Sequence, residues 1–129
     1  MAIGVAVRHK EGEITPTRTF SNKQEKQVAK TLNAKQTPNS GATPWQKGDI
    51  LIDGHNQDSW LIECKTKTKS SESISIKKEW FEKNKQDAVF MGKKHSAIVF
   101  NFGPNEENHY IIDEYLFKEL LDYLNNRSI

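Results

Sequence analysis

Gly48-Asp49-Ile50-Leu51-Ile52, then Asp53-Gly54-His55-Asn56-Gln57-Asp58-Ser59, then Trp60-Leu61-Ile62-Glu63-Cys64-Lys65: two short apolar runs rich in branched side chains flank a polar segment full of turn formers. That pattern predicts a β-hairpin. Side chains alternate faces along a strand, so Glu63 and Lys65 point one way and Cys64 the other. With a matching register Asp49, at the mouth of the first strand, lies across from them. One patch of sheet then carries two carboxylates and an ammonium.

Crowded carboxylates repel each other and are costly to bury unless a hard divalent cation sits between them, and Mg²⁺ takes oxygen ligands while keeping several waters. A lysine beside such a cation orients or deprotonates an attacking water and offsets charge developing on phosphorus. The alternative reading is a surface hairpin with a solvated cross-strand salt bridge, since acid-x-Lys triplets are common.

Ser21-Asn22-Lys23-Gln24 has the form of a capping box and predicts a helix start there, with Val28, Ala29 and Leu32 on one stripe. Glu25 precedes these at helical spacing and falls on that inward stripe, while Lys23, Lys26, Gln27 and Lys30 face elsewhere. An acid so placed needs a partner. Otherwise it is a boundary glutamate that reaches water or pairs with a lysine.

With a helix acid (Glu25), Gly48-Asp49 at a strand start and Glu63-Cys64-Lys65 on the next strand, the chain resembles the PD-(D/E)XK nuclease superfamily over about residues 20–103. A helix over 76–91 and a strand over 96–102 follow in the family's order. The short core and Ser40-Gly41 upstream of Asp49 look most like the small archaeal-type and phage-encoded Holliday junction resolvases. The resemblance implies a restriction-endonuclease-like α/β core, a central mixed sheet flanked by helices. It implies that Asp49 and Glu63 bind Mg²⁺ directly, with Mn²⁺ as a substitute. Glu25 reaches the metal directly or through water, and Lys65 serves the nucleophilic water. Ser40 would hold a scissile-strand phosphate, and Thr43, in Thr43-Pro44-Trp45, competes for that role. Gly48 stands where the family usually carries proline. The implied activity is Mg²⁺-dependent cleavage of branched DNA by a homodimer, in recombination or repair. Alternatives are a restriction, repair or nicking endonuclease on duplex DNA, or a non-cleaving DNA-binding module with the same fold.

Length and composition agree with a small enzyme. The 129 residues make one domain with a modest core, and a mean hydropathy of −0.78 with abundant charge predicts a chain without a membrane span. Met1-Ala2-Ile3-Gly4 begins no signal-peptide pattern. A single cysteine excludes an intramolecular disulfide, and Cys64 is expected to pack the sheet in a reducing cytoplasm. Residues 1–94 hold 17 Lys/Arg against 11 Asp/Glu, whereas residues 95–129 hold 2 against 6. Lys67 and Lys69 continue along the Glu63 face if the strand extends, and Lys77 and Lys78 follow, a candidate phosphate track toward DNA. A solvated lysine-rich strand end is the alternative.

The rest reads as scaffold. Ser73 or Ser75 is expected to cap a helix carrying Trp80, Phe81, Ala88 and Met91 as core residues and ending near Gly92. Ala97-Ile98-Val99-Phe100 predicts a buried strand stopped by Gly103-Pro104-Asn105. Residues 104–129 supply a last strand, Tyr110-Ile111-Ile112, and a helix capped by Asp113 with Phe117, Leu120, Leu121 and Leu124 on one stripe. Residues 1–19 read as an arm, although Ile3, Val5 and Val7 alternate like a strand. His9, His55, His95 and His109 lack zinc-type spacing, and no phosphate-binding glycine loop is present.

Overall fold

The computed structural model describes residues 16–37, 49–53 and 58–127. In chain order these form α1 (Pro16–Leu32), β1 (Lys35–Gln36), β2 (Ile50–Ile52), β3 (Trp60–Lys65), α2 (Lys78–Phe90), β4 (His95–Phe100), β5 (His109–Ile111) and α3 (Glu114–Asn126). Ser40, Thr43 and the amino-terminal arm up to residue 15 lie outside the described residues.

The five strands lie side by side in chain order. β1, β2 and β3 run antiparallel, and the register sets Ile50 against Ile62 and Ile52 against Trp60, the expected hairpin. β3 and β4 are parallel, a pairing that requires a crossover, and α2 supplies it; β5 then returns antiparallel to β4. The result is an α/β protein with a mixed sheet flanked by helices.

Strand alternation sorts the core into two layers. Val28 of α1 packs on Ile50, Ile62, Ala97 and Val99, whereas Leu61 and Ile98 are fully buried on the α2 side. Each such aliphatic side chain contributes roughly 1.5–3 kcal/mol through burial. Asn84 ties α2 to the sheet, its Nδ2 donating to the Ala97 carbonyl at 3.0 Å.

Several expected boundaries move. α1 begins at Pro16, where the missing N–H costs nothing, so Ser21 and Gln24 lie inside the helix and form no capping box at its start. Gln24 instead donates to the Lys65 carbonyl at 2.8 Å and to Asn108 Oδ1 at 3.3 Å, a tertiary use of an amide that looked local. Asn33, at φ 52, closes the helix in the left-handed region, and the Ala34 N–H returns to the Ala29 carbonyl at 2.8 Å. α2 starts at Lys78 after Lys77 with no side-chain cap, so neither Ser73 nor Ser75 caps it. Gly92, at φ +69, ends it as expected. Asp113 does cap α3, accepting from the Leu116 N–H at 2.9 Å.

α3 departs most from expectation. Only Leu116 is buried, while Phe117, Leu120, Leu121 and Leu124 are 58%, 39%, 44% and 54% exposed, so the stripe meets solvent rather than the core. Its neighbour on the α1 face is an apolar groove of about 270 Å³ between Leu32, Trp60, Tyr110, Ile112 and Leu120.

Candidate active site

The open end of the β2–β3 hairpin collects the charged groups. Asp49 sits one residue before β2 and is fixed at three points. Its N–H donates to the Ile62 carbonyl at 3.2 Å, its carbonyl accepts from the Thr37 N–H at 2.9 Å and from Thr37 Oγ1 at 3.2 Å, and its carboxylate accepts from the Cys64 N–H at 2.7 Å. The side chain thus takes a position that a ladder carbonyl would otherwise fill. Asp49 is buried, as is Thr37.

Glu63 and Lys65 share a face, as their spacing predicts, and form an ion pair at 3.5 Å with about a quarter of each side chain exposed. Burial raises the Glu63 carboxyl to about 7, and the charge of Asp49 pushes the same way against the opposing pull of Lys65 and Lys83. At neutral pH this glutamate is poised between its two forms, because burial and the Asp49 charge outweigh the Lys65 ion pair.

Glu25 occupies the inward stripe of α1 and is buried, with its Oε1 accepting from Gln36 Nε2 at 3.4 Å. The Cys64 thiol registers all three acids. Burial first, then Asp49, Glu25 and Glu63, hold it far above the ordinary thiol range, so it is an inert packing group. Glu25 therefore approaches the hairpin end from the α1 side while Glu63 faces α2. Among the described residues no three His, Cys, Asp or Glu side chains stand together as a ready metal cage. Asp49 lies near enough to Glu63 to raise its carboxyl, and two carboxylates suit Mg²⁺, which needs only one or two plus water or phosphate oxygens.

The lysine track changes character. β3 stops at Lys65, so Lys67 and Lys69 do not continue its face. Lys67 Nζ donates to Ser71 Oγ at 3.2 Å and to the Ser73 carbonyl at 2.8 Å, folding its own loop, whereas Lys69, Lys77 and Lys78 are exposed. That loop lies tight on the β4–β5 turn: a Cβ on Gly103 would stand 2.5 Å from the Ser70 Cα.

Four participants had no local signal. Trp80, expected as core, lies with its ring centroid 4.7 Å from Lys65 Nζ. Lys83, one turn on, hydrogen-bonds Asp87 at 2.9 Å, which with Glu63 and Asp49 holds its amine above the ordinary lysine range. Gln24 and Thr37 grip main-chain atoms of Lys65 and Asp49. Helical spacing could have paired Trp80 with Lys83, but nothing in the chain said that this face meets Lys65.

No family model matches the chain, and no curated protein matches its sequence. A solved structure does: Archaeoglobus fulgidus Hjc, a Holliday junction resolvase from an archaeal hyperthermophile, with a TM-score of 0.53 over 70% of this chain and 73% of that one. The likeness is one of fold. At 17% identity it shows a shared α/β arrangement of mixed sheet and helices and carries no residue roles with it.

Proposed function

We propose that this protein is a metal-dependent endonuclease that cuts DNA, most concretely branched DNA. The observation that carries this reading is the convergence of Asp49, Glu63 and Lys65 on one hairpin end, with burial and the Asp49 charge raising Glu63 to about 7 against the pull of Lys65. Asp49 and Glu63 would hold Mg²⁺ or Mn²⁺, with Glu25 reaching it directly or through water. The cation supplies a polarised water and neutralises charge on the phosphate.

The chain's own residues do the rest. The Cys64 N–H and Thr37 hold Asp49 in place. Lys65 orients the attacking water and faces the negative charge that builds as the new P–O bond forms and the leaving oxygen departs with a proton. A module that only bound DNA would have no use for paired acids against a polyanion. Lys69, Lys77 and Lys78 are the candidate phosphate contacts. Ser40, Thr43 and Lys67 remain candidates from the sequence.

Junction cleavage calls for two sites, and the apolar face of α3 supports a homodimer: Phe117, Leu121 and Leu124 would leave water against a second copy. The test is purified protein against a four-way junction and a matched linear duplex, with Mg²⁺ or EDTA, alongside sedimentation mass. Paired nicks in the junction alone support the whole reading. Equal cutting of both substrates by a monomer leaves the nuclease and removes the resolvase, and no cutting with retained binding favours the non-cleaving module.

A further inference from the structure

Lys65 has two partners in the free protein, and only one can stay with it during the chemistry proposed above. Its ammonium lies 3.5 Å from Glu63 Oε2 and 4.7 Å from the centre of the Trp80 ring. A carboxylate that accepts a divalent cation turns its lone pairs toward that cation, which leaves the ring as the group still holding the amine. Lysine is a point charge on a flexible stem, so a catalytic lysine without a second support loses its aim.

We propose that Trp80 is a positioning residue for Lys65, holding the ammonium by its ring face over the hairpin end. The proposal rests on the nuclease reading for its purpose and on geometry alone for its existence. The support is rigid on both sides. Trp80 lies in the first turn of α2, where its N–H donates to the Lys77 carbonyl at 3.1 Å, and one turn later Asn84 pins the helix to Ala97. On the other side the Lys65 carbonyl is clamped by the buried Gln24 amide at 2.8 Å. With the Lys65 backbone clamped and Trp80 carried on a helix pinned to the sheet, the amine lies within reach of the ring, and an aromatic face attracts a cation within this distance.

The proposal is tested in two independent readouts with Trp80→Leu and Trp80→Phe. In the free protein, carrying ¹³C-labelled lysine, the Lys65 ε-methylene resonance should be displaced upfield by the ring current. That displacement should vanish in Trp80→Leu and survive in Trp80→Phe. In single-turnover cleavage of a four-way junction with Mg²⁺, Trp80→Leu should slow the rate about tenfold at unchanged junction affinity, and Trp80→Phe should recover most of it. Lys65 resonances identical in wild type and Trp80→Leu overturn the proposal, as does a rate that falls only in step with affinity. If Trp80→Leu does not fold, Trp80→Phe decides: a displacement lost there with the rate kept, or a rate lost with the displacement kept, overturns it. A wild-type protein that cuts no DNA removes the nuclease reading, and the lysine resonance then decides the positioning role by itself.

Discussion

The hairpin end and α3 break the ordinary rule of burial in opposite directions. At the first, Asp49, Glu25 and most of Glu63 are withdrawn from water; at the second, Phe117, Leu121, Tyr123 and Leu124 are left in it. Burying an acid costs free energy that a bound cation offsets, and an exposed apolar stripe costs free energy that a covering surface offsets. On the proposed reading the first region would be met by a cation and a phosphate, the second by a second copy of the chain.

The largest expected effect is on catalysis. Asp49→Ala should reduce cleavage by about a thousandfold or more while leaving DNA binding largely intact, because it removes a cation ligand and also a negative charge facing phosphate. Gel-shift and cleavage assays on one DNA check it. Near-wild-type turnover would take the hairpin end out of the chemistry.

Next comes the pH dependence of stability without metal. The Glu63 carboxyl is raised from its ordinary 4.5 to about 7 in the folded protein. The folded state therefore binds this proton more tightly, so the contribution of Glu63 to stability is full below pH 4.5, falls as pH rises toward 7 and levels off above. The fall is on the order of 3 kcal/mol. Glu63→Gln should flatten it, and Mg²⁺ should stabilise the wild type more at pH 7.5 than at pH 5, both read by thermal unfolding. A profile unchanged by Glu63→Gln would mean that the acids at this end are not strained.

Lys65→Ala should slow cleavage by about a hundredfold with metal affinity retained, measured by calorimetric titration beside the kinetics. Loss of metal binding along with rate would make the lysine structural. The smallest effect on the fold concerns the other region. Leu121→Lys should change folding stability by no more than about 0.5 kcal/mol, since the side chain already meets solvent, yet it should shift the sedimentation mass toward the monomer. A mass that never exceeds the monomer in wild type would remove the partner.

The hairpin shows how far sequence reaches. Apolar runs around a turn-rich segment gave β2 and β3, and period-two alternation put Glu63 beside Lys65 and Cys64 behind them, all as found. The inward side of α1 was legible too, because helical spacing ties Glu25 to Val28 and Glu25 is indeed buried. Boundaries were harder. Ser21 and Gln24 spell a capping box, yet the helix extends back to Pro16 and Gln24 makes a tertiary hydrogen bond instead.

What the sequence by itself determined was whatever a local period encodes: which side chains share a face, where turns fall, and that two acids and a lysine belong to one strand pair. The tertiary structure decided what those faces meet. It brought Trp80 over Lys65, stopped β3 before Lys67 and Lys69, and left the apolar stripe of α3 without a core to enter. The reason is physical: periodicity depends on the backbone geometry of one element, whereas contact depends on how separate elements pack, and spacing along the chain does not record that packing.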